Sequence, residues 1–140
     1  MRHQFDPYVS RNAQGVCFNH WQGEARKVLC VCSAGCLRSP TTANVLHKEY
    51  GYNTRSAGIE PEYAIVPVSA RLLMWCDEVV VMESWQAQEI ESMLEQMLIE
   101  REVVCLNIPD NYAYMQEELI EDIKRSYNAV IEKHLEGETQ

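Results

Sequence analysis

The chain has 140 residues, 46% hydrophobic and 24% charged, with a formal net charge of −9. That length suits one domain with a sizeable core, and no apolar run approaches the ~20 residues needed to cross a bilayer. So negative a charge argues against binding a long nucleic-acid backbone, but it leaves a small anion open, because local N–H groups and one arginine can hold a phosphate. Residues 1–26 are polar with scattered aromatics and read as an N-terminal extension; without an apolar signal core they point to a cytoplasmic chain whose six cysteines are free thiols.

Residues 27–32, Lys-Val-Leu-Cys-Val-Cys, form a short apolar run before a glycine-containing loop, the pattern of a buried first strand. Ser39 is placed to cap a helix with Pro40 as its first residue, and Thr42, Val45, Leu46 and Tyr50 recur at helical spacing until Gly51. A second strand follows over 53–56, then a loop through Gly58 and Pro61, then a short helix over 69–75. Residues 78–82 read as a third strand, apolar in its centre as expected when both faces are covered. Ile90, Met93, Leu94, Met97 and Leu98 mark an amphipathic helix over 84–99, residues 103–108 a fourth strand, and Leu119, Ile120, Ile123, Tyr127, Val130 and Ile131 stripe the last helix. Residues 136–140 read as a frayed tail. Strands alternating with helices imply one α/β domain over 27–135, three layers with a parallel sheet between helices. Ligands of such sheets bind at the carboxyl ends of the strands, where the segment 31–40 leaves the first strand.

That segment, Val-Cys-Ser-Ala-Gly-Cys-Leu-Arg-Ser-Pro, carries the chemistry. Cys30, Cys32 and Cys36 give a C-x-C-x3-C spacing with no second pair or histidine cluster at zinc spacing, and too few spaced thiols for an iron–sulfur centre; no metal is assigned. An anion cradle uses more of the residues. Small Ser33, Ala34 and Gly35 let the backbone curl with its N–H groups inward, and the start of the next helix favours both a bound phosphate and the thiolate form of Cys32. Arg38 can clamp two phosphate oxygens with its planar fork. Nucleophile, cradle and clamp together suit attack on a phosphate monoester.

With VCSAGCLRSP at 31–40, RSAG at 55–58, DEVVVME at 77–83 and PDNY at 109–112, the sequence resembles the low-molecular-weight protein tyrosine phosphatases over roughly 27–135. It is most similar to a predicted tyrosine phosphatase branch with a late IPDNYAYM motif. The resemblance implies a phosphotyrosine phosphatase I-like fold with four parallel strands in the order 2-1-3-4. It implies Cys32 as nucleophile, Arg38 as phosphoryl clamp, Ser39 as the hydroxyl that stabilises the thiolate, and Asp110 as the acid that protonates the leaving phenol and then helps activate water. Residues Ser33, Ala34, Gly35, Cys36 and Leu37 would line the phosphate loop, with Tyr112 and Tyr114 on one side of a substrate ring and Tyr63 on the other. The chain departs from the family pattern at Gly35, where asparagine is usual, at Cys36-Leu37, where the second cysteine stands one residue early, and at Asn111, which replaces a proline. Asp6-Pro7-Tyr8 spells the family's acid motif at the wrong end of the chain.

The reaction so implied needs no cofactor, takes a phosphorylated protein or small aryl phosphate as partner, and releases inorganic phosphate. An arsenate reductase uses the same kind of loop but relays oxidation through further cysteines, which the helix after Glu83 lacks. A non-catalytic module that reads phosphorylated partners is the third reading, which Gly35 and Asn111 leave open. Cys30, Cys76 and Cys105 read as inert core thiols, Cys17 as an ordinary thiol, and His20, His47 and His134 as surface or packing residues. The Glu-rich stretch 117–121 reads as a solvated helix face that discourages acidic substrates.

Overall fold

In the computed structural model, which describes residues 25–33 and 38–138, the apolar run after Arg26 is strand β1 (Lys27–Cys32), and five of its six residues are buried. Its side chains alternate between two cores. Val28, Cys30 and Cys32 pack beneath helices α1 (Arg38–Tyr50) and α4 (Glu117–Glu138), while Leu29 and Val31 face α2 (Ala70–Trp75) and α3 (Ser84–Met97). Burial on both faces is why the strand is apolar without a polar alternation, each such Leu or Val contributing roughly 1.5–3 kcal/mol.

The other strands are β2 (Asn53–Gly58), β3 (Glu78–Val81) and β4 (Glu102–Cys105), and the sheet runs β2-β1-β3-β4, all parallel, as the sequence reading has it. β1 therefore lies in the middle, with Cys30 opposite both Ser56 and Val80. No helix among the described residues is long and apolar enough to cross a membrane.

Several element ends differ from the sequence reading, each for a local reason. Helix α1 begins at Arg38, so Ser39 stands inside its first turn rather than capping it, and its buried hydroxyl faces Cys32. Gly51 ends the helix at φ +74, a conformation that costs glycine nothing, with its N–H donating to His47 O at 2.9 Å. β2 runs two residues beyond 56, because β1 pairs with it through Cys32 and Gly58. Ser69 caps α2, its Oγ accepting from Leu72 N–H at 3.2 Å. β3 and α3 stop slightly short, α3 at a left-handed Leu98. β4 stops at Cys105 rather than 108, since Asn107 adopts φ 58; the N–H groups of Leu106 and Ile108 nevertheless donate to Val81 O and Met82 O.

At the amino edge of the sheet, Glu78 is 2% exposed and takes Arg26 Nε at 2.7 Å and the Tyr127 hydroxyl at 2.9 Å. Arg26 reaches on to Glu102 at 2.8 Å, and His134 Nε2 lies 3.1 Å from the same carboxylate. Burial outweighs these partners and holds the Glu78 carboxyl above its ordinary pKa; burial likewise pushes the Tyr127 hydroxyl up. His47 packs with its Nδ1 2.9 Å from Tyr52 O.

Candidate active site

β1 carries Cys32 to the carboxyl edge of the sheet, where its thiol is 3% exposed and Sγ lies 3.2 Å from Ser39 Oγ. Ser39 Oγ is 3.4 Å from Ala57 O, and rotation of the hydroxyl lets it donate to the sulfur once the thiol is ionised. Ala34, Gly35, Cys36 and Leu37, expected to line the loop, lie outside the described residues, as do Asp6-Pro7-Tyr8, Cys17 and His20.

Arg38 is 1% exposed, and a guanidinium so buried must be paired. Its Nη1 donates to Glu83 Oε2 at 2.7 Å and to Ile108 O at 2.8 Å. Nη2 is 3.4 Å from Ser33 Oγ and Nε is 3.6 Å from Asp110 Oδ1. Among the described residues the Nε–Nη2 edge thus meets only these two long contacts. That edge is the one able to give two parallel bonds to a phosphoryl group.

Glu83 is fixed in turn. Gln86 is fully buried, its Oε1 accepts the N–H groups of Met82 at 2.9 Å and Glu83 at 3.0 Å, and its Nε2 is 3.3 Å from Ser33 Oγ. The start of α3 therefore ties the clamp to the first residue after β1. Glu83, Gln86 and the Ile108 carbonyl received no role in the sequence reading. The available signal was a carboxylate directly after the apolar run 79–82, at the edge where ligands of such sheets bind.

Asp110 follows β4 with a side chain 60% exposed. The loop that carries it is anchored to α1 by Met115 N–H donating to Thr41 Oγ1 at 2.9 Å. Tyr112 is half-buried against the core, and its hydroxyl donates to Asp122 at 2.5 Å, so its polar end is engaged by α4. Tyr114 is 39% exposed and Tyr63 is 68% exposed. The loop bearing Tyr63 is held beside Cys32 by Ile59 N–H to Cys32 O and Glu60 N–H to Ser33 O, both 2.9 Å.

The remaining described thiols sit apart from this site. Cys30 is fully buried in the core. Cys76 precedes Asp77, whose N–H donates to Lys27 O, which places it at the far end of β1, roughly 16 Å along the strand from Cys32. Burial pushes its thiol up to about 11. Cys105 shares a core with Val31, on the opposite face of the sheet from Cys32. No group of three His, Cys, Asp or Glu residues among those described could hold a metal ion.

No protein-family profile and no curated protein matches the chain. Solved structures do. Vibrio vulnificus Wzb in complex with benzylphosphonate is similar at 21% identity and a TM-score of 0.60, over 78% of this chain and 99% of that one. The YwlE arginine phosphatase from Geobacillus stearothermophilus aligns at 17% identity and a TM-score of 0.55, over 79% of this chain and 96% of that one. The tyrosine phosphatase Wzb from Escherichia coli K30, in complex with phosphate, aligns at 17% identity and a TM-score of 0.54, over 78% and 98%. With the strand order, the helices on both faces and these likenesses together, the chain has the fold of the low-molecular-weight protein tyrosine phosphatases.

Proposed function

We propose that the protein is a cytoplasmic, cofactor-independent phosphomonoesterase that hydrolyses aryl phosphates, protein phosphotyrosine among them, through a cysteinyl-phosphate intermediate. The observation that carries this reading is the meeting of four groups at one sheet edge: the Cys32 thiol, the Ser39 hydroxyl 3.2 Å from it, the pinned Arg38 guanidinium and the Asp110 carboxyl 3.6 Å from Arg38. Similarity to a tyrosine phosphatase and to an arginine phosphatase supports it.

In this mechanism Cys32 attacks phosphorus as the thiolate, its proton already lost to solvent, the P–O bond to the aryl group breaks, and Asp110 gives its proton to the departing oxygen. Arg38 neutralises the equatorial oxygens through its Nε–Nη2 edge while Glu83 and the Ile108 carbonyl hold its other end. Asp110, now ionised, takes a proton from water as that water displaces the sulfur, which releases inorganic phosphate. Tyr63 and Tyr114, both exposed, are the rings able to flank a substrate aryl group. Ser33, Ala34, Gly35, Cys36 and Leu37 are assigned to the phosphate loop and Tyr112 to supporting the Asp110 loop. An arsenate relay is disfavoured, because Cys76 and Cys105 are placed at the far end and on the far face of the sheet.

Hydrolysis of para-nitrophenyl phosphate and of a phosphotyrosine peptide tests the proposal. Cys32→Ser is expected to lower turnover by ~10⁴ or more while the protein stays folded. Turnover that survives Cys32→Ser overturns the mechanism, and tight phosphopeptide binding without phosphate release favours a non-catalytic reader.

A further inference from the structure

We infer that the rim of the site receives a polypeptide segment bearing lysine or arginine beside the phosphorylated residue; this rests on the phosphomonoesterase reading above. Three segments converge on Cys32 and Arg38. Residues 60–64 are tied to Ser33 O by Glu60 N–H at 2.9 Å, residues 83–86 by the 2.7 Å contact of Glu83 with Arg38, and residues 109–118 by Asp110, 3.6 Å from Arg38 Nε.

These segments carry Glu60, Glu62, Glu83, Asp110, Glu117 and Glu118, and no lysine or arginine. Glu83 is paired with Arg38, whereas Glu62, Asp110, Glu117 and Glu118 are exposed. Each segment also presents an aromatic ring to solvent: Tyr63 at 68%, Trp85 at 39% and Tyr114 at 39%. Acidic groups interleaved with aromatic faces attract a cationic side chain twice, through the carboxylates and through the rings. An anionic flank meets like charge from these three segments, and that repulsion is itself a source of selectivity. A small aryl phosphate has no flanks to meet the rim and reports the chemistry alone.

The test compares kcat/KM for para-nitrophenyl phosphate with that for three phosphotyrosine peptides differing only in flanking Lys, Ala or Asp. The Lys peptide is expected to exceed the Asp peptide about ten-fold at low salt, with the gap shrinking at about 0.5 M salt. Glu62→Lys should narrow or invert the preference, and Trp85→Ala should raise KM for the Lys peptide several-fold. Both variants should leave para-nitrophenyl phosphate hydrolysis unchanged. If para-nitrophenyl phosphate is hydrolysed but the peptides are cleaved equally, or the Asp peptide faster, the inference is overturned while the enzymatic reading stands. If nothing is hydrolysed, both are overturned.

Discussion

The two edges of the sheet each bury a charged residue at its centre, and they treat it differently. At the amino edge Glu78 accepts from Arg26 and Tyr127 at 2.7 and 2.9 Å, and Arg26 is itself braced by Glu102. At the carboxyl edge Arg38 is held just as short by Glu83 and Ile108 O, among the described residues only through Nη1; its other edge meets Ser33 and Asp110 at 3.4 and 3.6 Å. Short bonds on every side make a structural knot, since a buried charge is tolerated only when paired. Short bonds on one side and long ones on the other make a preorganised clamp, whose second side is available to an incoming oxyanion.

The sharpest way to break this contrast is to give both arginines the same substitution. Arg38→Lys removes the planar fork and is expected to lower kcat/KM for aryl phosphates by about 10² to 10³. Arg26→Lys, at the amino edge, should leave kcat/KM unchanged and cost only stability. Equal losses of activity in steady-state assays would mean that the two edges are alike and that neither is the site.

Asp110→Asn comes next in size. The amide keeps the shape of the side chain but carries no transferable proton, so the expected loss is about 10² in kcat for phenyl phosphate. Para-nitrophenyl phosphate, whose leaving group needs less protonation, should lose less. An equal loss with both substrates would leave Asp110 without a role as the acid.

What could be read in the sequence was what is local in the chain. Cys32 and Arg38 stand six residues apart across one strand end and one helix start, so spacing and residue type alone bring them together. β1 and β3 are buried on both faces, so their apolar runs declare themselves. The grip of Glu83 on Arg38 spans 45 positions and depends on β3 lying beside β1, a pairing that no local pattern specifies. The early end of β4 turns on the left-handed Asn107, which a β-branched run through Val103 and Val104 conceals. Tyr112 gave no sign of its bond to Asp122, which lies a helix turn beyond the loop. The same limit applies at the other edge, where Glu78 opens the third strand and its partner Tyr127 comes from the last helix, 49 positions away.

A pH series probes the amino-edge knot. Burial holds the Glu78 carboxyl above its ordinary value, so the folded protein binds that proton more tightly than the unfolded chain does. Its contribution is therefore full below the ordinary carboxylate pKa and falls as pH rises through the raised one. The Tm of wild type minus that of Glu78→Gln should shrink from about pH 4 to pH 8 by a few degrees, without change in kcat at neutral pH. A difference that grows with pH would mean that the Arg26 ion pair, not burial, dominates this edge.

The smallest expected effect separates strain that serves the site from strain that does not. Asn107, at φ 58, directly precedes the carbonyl that pins Arg38, and asparagine tolerates the left-handed region better than most side chains. Leu98 adopts nearly the same backbone, φ 59 and ψ 38, where α3 ends before β4, and it is 90% exposed with no packing to offset the clash of its Cβ. A left-handed L-residue costs roughly 1–2 kcal/mol, and the extra freedom of glycine in the unfolded chain takes back about 0.5–1 kcal/mol. Leu98→Gly should thus stabilise the fold by about 0.5–1 kcal/mol, read as a higher urea midpoint at unchanged slope and unchanged kcat/KM. A lower midpoint would mean that the exposed leucine makes a stabilising contact; a lower kcat/KM would mean that the end of α3 transmits to Glu83 at its start, and that the two edges are not independent.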